Sequence, residues 1–240
     1  NNGTVEIPAW RTDILHEVDL IEDVAIAYGY DNFIPEIPKI STIGQEDSKE
    51  IIKRKISEIL SGLEMLEVSN YHLTNKKDQF TNMNIPEKQE RDFVEIEESK
   101  TDYTILRKDL THYLLKNLSE NIDTEYPQKI FEIGKIFISK DNIKESEHLA
   151  LAITPGNFTE VKQSLEHLFK MIDLKINLKE PNSKDILSHF IEGRTAEITL
   201  DNITIGYIGE IHPKTLKNWR IKMPVSLFEI NLEKIFEKLN

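Results

Sequence analysis

The chain has 240 residues, 39% of them hydrophobic, which is enough for one large domain or one domain plus part of another. No apolar run approaches the ~20 residues of a membrane span. The start, NNGTVEIP, has neither the basic nor the apolar region of a signal peptide. Because it also lacks an initiator Met, we expect a fragment of a longer protein. The absence of cysteine excludes disulfides and thiolate metal sites and fits a cytoplasmic protein. The net charge of −12 argues against tight nucleic-acid binding by this chain alone.

The first element is a short edge strand, predicted at residues 4–8 because the residues alternate and end at a proline. The stretch that follows, residues 10–30, reads WRTDILHEVDLIEDVAIAYGY. Its apolar residues recur at helical spacing, which predicts a helix from about Glu17 to Tyr28. Gly29 is a plausible end of this helix because glycine is the common C-terminal cap.

Four acidic residues are concentrated in this stretch: Asp13, Asp19, Glu22 and Asp23. On a helix the last three lie at i, i+3 and i+4 and share one face, and Asp13 lies one short turn upstream. With no Lys or Arg among them, four converging carboxylates repel one another unless protons or a cation intervene. Such oxygen-only ligands suit Mg²⁺. The alternative is a solvated acidic face whose first turn stabilises the helix dipole.

A linker follows the acidic helix. The segment DNFIPEIPKISTIGQED contains two prolines three residues apart and has no helical period, which indicates the boundary between two domains. We therefore predict a first domain at residues 1–38, a linker at 39–47 and a second domain at 48–240.

The second domain alternates strand-like and helix-like patterns. Strands are predicted at 67–74, 93–98, 129–139, 149–154, 176–178, 195–200, 203–211 and 225–231. Helices are predicted from Ser48, at about 108–121, from a cap at Thr159 to about Ile172, after Pro213 and at the C-terminus. Most of these strands join their neighbours by hairpins, including one whose turn is Asp201-Asn202. The pattern predicts an α+β fold, an antiparallel sheet with helices on its faces.

Two local features carry further expectations. The helix that begins at Ser48 has an apolar stripe, which predicts either a core-facing helix or a subunit interface; its members are Ile51, Ile52, Ile56, Ile59, Leu60 and Leu63. Gly134 interrupts the most strand-like stretch of the chain, KIFEIGKIFIS, and this predicts a β-bulge or a tight hairpin.

The run PAWRTDILHEVDLIEDVAIAYGYDNFIP resembles the signature stretch of the beta subunit of phenylalanyl-tRNA synthetase. The weaker motifs YTILRKDL, KIFEIGKIF and GYIGEIHP follow in the family's order. The resemblance implies the tail of a small domain with a DNA-binding-like fold, then a class II aminoacyl-tRNA synthetase-like core. It also implies that Asp13, Asp19, Glu22 and Asp23 are Mg²⁺ ligands at a site shared with the alpha subunit. Because the chain ends soon after this core, we expect the archaeal or eukaryotic type.

The resemblance further implies a cytoplasmic ligase of two alpha and two beta subunits, which uses ATP in alpha to join phenylalanine to tRNA(Phe). An editing domain is expected upstream of Asn1. An active class II core holds ATP phosphates with two arginines. Here Ile130 and Phe131 precede Glu132 where an active core has Phe-Arg-x-Glu, and the last helix has no arginine. We therefore predict no catalytic or cofactor-binding residue in this chain.

Two other functions remain open from the sequence. One is a free-standing relative of synthetases that acts as an interaction or scaffold module without a ligase role, and co-purification with an alpha subunit distinguishes it. The weaker alternative is an independent RNA-binding domain, which predicts a salt-dependent affinity for tRNA.

Overall fold

The structure is a computed structural model that describes residues 3–40, 43–86, 92–139, 142–181 and 187–239. The chain separates into two compact units, Asn1–Gln45 and Glu46–Asn240, each of which is described by itself below. Within the described residues, no helix is both long and apolar enough to cross a membrane.

The first unit contains the predicted acidic helix, α1 (Glu17–Tyr28), followed by a 3-10 turn at Tyr30–Asn32. Gly29 ends the helix with a φ of 91°, as expected for a residue in which a side chain would be strained. The strand predicted at residues 4–8 is wrong, because residues 3–8 form no strand in the structure. An alternating pattern needs a neighbouring strand to pair with, and the described residues of this unit supply none.

The second unit is built on a seven-stranded sheet in the order β1-β4-β5-β9-β8-β7-β6, and β2 and β3 form a separate pair. The strands are β1 (Leu66–Glu67), β2 (Leu73–Thr74), β3 (Ile105–Leu106), β4 (Gln128–Ser139), β5 (Ile143–Thr154), β6 (Ile176–Lys179), β7 (Phe190–Leu200), β8 (Ile203–Ile211) and β9 (Ser226–Asn231). All neighbours in the sheet are antiparallel except β1 and β4. The predicted α+β class is therefore confirmed.

The described residues of this unit form the α-helices α2 (Ser48–Ser61), α3 (Thr111–Glu120), α4 (Phe158–Met171), α5 (Pro213–Asn218) and α6 (Glu233–Leu239). One core lies between the sheet and the layer of α2, α4 and α6, and a second lies where α3 packs on the opposite face. Ile56 and Leu60 of α2 are fully buried in the first core. The apolar stripe of α2 therefore faces the core, except for Ile51, which is 46% exposed.

The hairpin turn between β7 and β8 is the predicted Asp201-Asn202, with φ angles of 50° and 64°. Positive φ at both central residues is the geometry of a type I′ turn, whose twist matches that of the flanking strands. By contrast, the strand predicted at 93–98 is reduced to a single bridge between Glu95 and Ile105.

Gly134 does not mark a bulge or a hairpin, so that prediction is wrong. β4 pairs with β5 residue by residue from Gln128–Thr154 to Ser139–Ile143 without a register shift. A Cβ at Gly134 would overlap Nη2 of Arg107 and lie 3.4 Å from its Cζ. Glycine is required here because a buried guanidinium occupies the space of the missing side chain.

Candidate functional site

Two of the four candidate metal ligands, Asp13 and Asp23, meet at the side chain of Arg11. The Arg11 Nη2 donates to Oδ2 of Asp13 at 2.8 Å and to Oδ2 of Asp23 at 2.9 Å. Its Nε donates to both oxygens of Asp13, at 3.0 and 3.1 Å. Asp13 thus folds back towards the acidic face of α1, as its position in the sequence predicted, but with a guanidinium between the carboxylates. The hydrogen bond from Arg11 lowers the pKa of Asp13 below its ordinary value.

Asp19, unlike Asp13 and Asp23, does not contact Arg11; its carboxylate caps the start of α1. Its Oδ2 accepts hydrogen bonds from the backbone N–H groups of Leu15 and His16, both at 2.8 Å. These bonds lower the pKa of Asp19. The imidazole Nδ1 of His16 accepts from the N–H of Val18 at 3.2 Å, which completes a capping box.

The four acids as arranged do not fit Mg²⁺, although their oxygens are the ligands that this ion prefers. Asp13 and Asp23 are held by Arg11, Asp19 is held by backbone N–H groups, and Glu22 is exposed on α1. Within the described residues, no group of three or more His, Asp or Glu side chains could hold a metal ion. The metal assignment therefore stays a prediction. Sequence reasoning missed Arg11, although it lies only two residues before Asp13.

A second candidate site is a cavity of about 810 Å³ above β4, β5, β8 and β9. Its walls include the residues just before and within the first turn of α3, a π-helical turn at Lys77–Thr81 and the start of β7. Both carboxylate oxygens of Glu229, on β9, have hydrogen-bond partners. Its Oε2 accepts from the N–H groups of Leu110 and Thr111, both at 3.0 Å. Its Oε1 lies 2.8 Å from Nδ1 of His148. This carboxylate therefore ties α3 to the sheet.

Two further ionisable groups of the cavity have strongly shifted pKa values. Burial acts to raise the pKa of Asp109, but the charge and hydrogen bonds of His112 outweigh it and lower this pKa to about 2. The Asp109 Oδ1 lies 2.9 Å from Nδ1 of His112. Burial lowers the pKa of His189 to about 4, so its imidazole is neutral at pH 7. The Nδ1 of His189 has no hydrogen-bond partner among the described residues.

The charges that line this cavity are poorly suited to a nucleotide triphosphate. Its lining contains one lysine, Lys108, against two carboxylates, Asp109 and Glu229, and includes no arginine among the described residues. The carboxylate of the β4 motif, Glu132, is not in the cavity lining. It is 1% exposed and lies 2.6 Å from Nη1 of Arg107. The ion pair with Arg107 accounts for the burial of this carboxylate.

The comparison with protein families decides which family the chain represents. A family model described as the phenylalanyl tRNA synthetase beta chain CLM domain matches residues 34–232. The chain belongs to the phenylalanyl-tRNA synthetase beta chain family. A second model, described as the tRNA synthetase B5 domain, matches residues 1–30, which include all four candidate metal ligands.

Members of this family with curated names match over nearly the whole chain. The phenylalanine–tRNA ligase beta subunit of Archaeoglobus fulgidus is 39% identical over 97% of the chain, and that of Thermococcus sibiricus is 38% identical over 96%. The chain spans 42% and 41% of the length of these two proteins. Among solved structures, pyrrolysyl-tRNA synthetase from Desulfitobacterium hafniense is similar with a TM-score of 0.64 and 16% identity, over 79% of this chain and 68% of that one. This likeness shows a class II synthetase fold for the chain.

Proposed function

We propose that this chain is the assembly part of a phenylalanine–tRNA ligase beta subunit. It acts without catalytic residues of its own, beside a catalytic alpha subunit that uses ATP to join phenylalanine to tRNA(Phe). We place it in a cytoplasmic enzyme of two alpha and two beta subunits. The observation that carries the proposal is the family match over residues 34–232, on a class II-like sheet whose cavity lining contains no arginine among the described residues.

The charges in the cavity support the proposal that this chain is not catalytic. Transfer from ATP develops negative charge that must be met by preorganised cations or hydrogen-bond donors. An arginine supplies two parallel donors to a phosphate, whereas a lysine acts as a point charge. Lys108 lines the cavity together with Asp109 and Glu229, and these two carboxylates repel a triphosphate. The cavity therefore does not favour the transition state of amino-acid activation.

The test is to express the full-length beta subunit with its alpha subunit and to measure phenylalanylation and ATP–pyrophosphate exchange. We expect the two subunits to co-purify and to be active together, and the 240-residue chain alone to show no exchange. Exchange by the chain alone would refute the non-catalytic role. Failure of the full-length beta subunit to co-purify with alpha would instead favour a free-standing scaffold module. Salt-dependent binding of tRNA by the chain alone would favour an RNA-binding domain.

Mg²⁺ binding by Asp13, Asp19, Glu22 and Asp23, at a site completed by the alpha subunit, is part of this proposal. The support is the match of residues 1–30 to the B5 model and the oxygen-only donor set. The arrangement described above must change before a metal can bind, because Arg11 holds two of the four carboxylates.

A further inference from the structure

We propose that a basic surface around helix α5 contacts the phosphate backbone of tRNA in the assembled ligase. This surface, the α5 patch, is formed by four exposed side chains: Lys214, Lys217, Arg220 and Lys222. The inference rests on the proposed function, because it adds a contact with the RNA substrate of that ligase. The experiment below separates its failure from the failure of the proposed function.

The α5 patch interrupts an otherwise acidic chain. From Ile211 to Phe228 the sequence contains four lysine or arginine residues and no aspartate or glutamate, although 42 of the 240 residues of the chain are acidic. None of the four basic side chains forms an ion pair or a hydrogen bond with another described residue. Their charges are therefore not neutralised by the described part of the chain, and they create a local positive potential that attracts anions.

The helix α5 places two of these side chains next to each other. Thr215 within the helix and Trp219 at its end are buried, so this side of α5 faces the domain. Lys214 and Lys217 are exposed and lie three residues apart, which makes them neighbours on the helix surface. An anion that binds one of these lysines can therefore also reach the other.

Arg220 occupies a backbone position that glycine usually fills. Its φ is 58°. It follows Trp219, the C-terminal cap of α5, and its N–H donates to the carbonyl oxygen of Lys217 at 3.1 Å. The N–H of Ile221 donates to the carbonyl oxygen of Leu216 at 2.9 Å, which completes a Schellman motif. This motif favours glycine, so what the arginine adds is an exposed guanidinium, a group that binds phosphate through parallel hydrogen bonds.

The layout of the α5 patch suits an extended polyanion better than a small anion. None of its four residues lines the cavity above β4, β5, β8 and β9, and small ligands are bound in concave sites where polar groups converge. A nucleic-acid backbone instead carries a charge at every nucleotide and is bound by surface lysines and arginines that displace its counterions. Because the chain has a net charge of −12, we expect this contact to strengthen tRNA binding in the assembled enzyme and not to hold RNA alone.

The test uses the full-length beta subunit assembled with its alpha subunit, and it measures the affinity for tRNA(Phe) by fluorescence anisotropy over a series of salt concentrations. The patch variant removes three charges of the α5 patch: Lys214→Gln, Lys217→Gln and Arg220→Gln. The control variant removes the same charge from three exposed lysines outside the patch that have no ion pair with a described residue: Lys144→Gln, Lys170→Gln and Lys175→Gln.

We expect the patch variant to bind tRNA roughly tenfold more weakly than the unmodified enzyme, and the slope of log affinity against log salt to become shallower by about two to three. The control variant should keep both values. In phenylalanylation the patch variant should raise the KM for tRNA and leave kcat unchanged, because the patch lies outside the cavity. ATP–pyrophosphate exchange, which needs no tRNA, should be the same in all three enzymes.

The single variant Arg220→Gly separates the charge from the fold. Glycine suits a φ of 58°, so the melting temperature should stay the same or rise. The affinity for tRNA should nevertheless fall, because the guanidinium is lost. A weaker affinity in this variant therefore cannot be caused by unfolding.

Equal tRNA affinity and equal salt slopes in the patch variant and the control would overturn the contact while leaving the ligase function in place. Loss of the alpha subunit from the patch variant, with unchanged tRNA binding by the enzyme that stays assembled, would overturn it in favour of a protein interface. An unmodified enzyme that shows no phenylalanylation would refute the proposed function, and the contact with it.

Discussion

Replacing Gly134 with alanine tests whether the buried pair of Arg107 and Glu132 explains the glycine of β4. Both residues are 1% exposed. The guanidinium is fixed by a bond from Nε to the carbonyl oxygen of Lys135 at 2.7 Å and one from Nη1 to Oε1 of Glu132 at 2.6 Å. The added methyl group would overlap Nη2. The guanidinium can avoid the methyl group only by moving, and any movement weakens these two bonds.

The size of the effect follows from two contributions. Overpacking a buried site costs about 1–3 kcal/mol, and breaking a buried ion pair by removing one partner costs about 3–5 kcal/mol. Because Gly134→Ala displaces the guanidinium without removing it, we expect a loss of about 2–4 kcal/mol in the free energy of unfolding. For a chain of this length that corresponds to a melting temperature lower by roughly 5–15 °C.

The assay is urea and thermal unfolding followed by circular dichroism. Gly44→Ala is the control, because a Cβ at Gly44 meets no atom within 4 Å. The decisive comparison repeats Gly134→Ala in a chain that also carries Arg107→Met and Glu132→Gln. Without the guanidinium the alanine should cost less than about 1 kcal/mol, as expected when coupled residues are removed together. An equal cost in both backgrounds would show that something other than Arg107 requires the glycine.

Two further predictions concern pH and the start of α1. Because the pKa of His189 falls from 6.5 to about 4 on folding, the unfolded chain binds more protons between these values. The contribution of His189 to the free energy of unfolding should therefore fall by about 3 kcal/mol as the pH drops from 6.5 to 4. His189→Asn should flatten this part of the curve of unfolding free energy against pH, whereas the exposed His167→Asn should not. Asp19→Asn should speed amide hydrogen exchange at Leu15 and His16, and Glu22→Gln should not, because Asp19 accepts hydrogen bonds from these two N–H groups. Equal exchange in these two variants would contradict the capping role.

Elements with long, regular patterns were predicted well from the sequence. Strand β8 has the predicted bounds, Ile203–Ile211, and α4 (Phe158–Met171) ends one residue before its predicted end but is capped by Asn157 instead of Thr159. Short elements were predicted less well. Residues 67–74 were expected to form one strand, but Leu66–Glu67 pairs with β4 and Leu73–Thr74 pairs with β3. Alternation of side chains reports which face is buried, but it does not report which strand is the partner.

In the candidate sites too, contacts between residues close in sequence could be predicted, whereas contacts between residues far apart in sequence could not. The spacing of Asp19, Glu22 and Asp23 placed them on one helix, because that geometry depends only on neighbouring residues. The contacts of Arg11 with Asp13 and Asp23 were not predicted, because Arg11 lies before the helix and helical spacing does not report its contacts. The need for glycine at 134 could not have been found locally, since Arg107 lies 27 residues earlier in the chain and reaches β4 only through the fold.

The buried ion pair gives Glu132 a structural role that does not depend on a substrate. Glu132 lies on β4, where the resemblance places the carboxylate of an active core. Here its Oε1 accepts from Arg107, and Asn70 donates to both of its oxygens, through the backbone N–H at 3.1 Å and the side-chain amide at 2.7 Å. The carboxylate therefore joins β4 to the segments around residues 70 and 107. A buried charge that loses its partner is strongly destabilising, so this glutamate is needed for stability whether or not a substrate is ever bound.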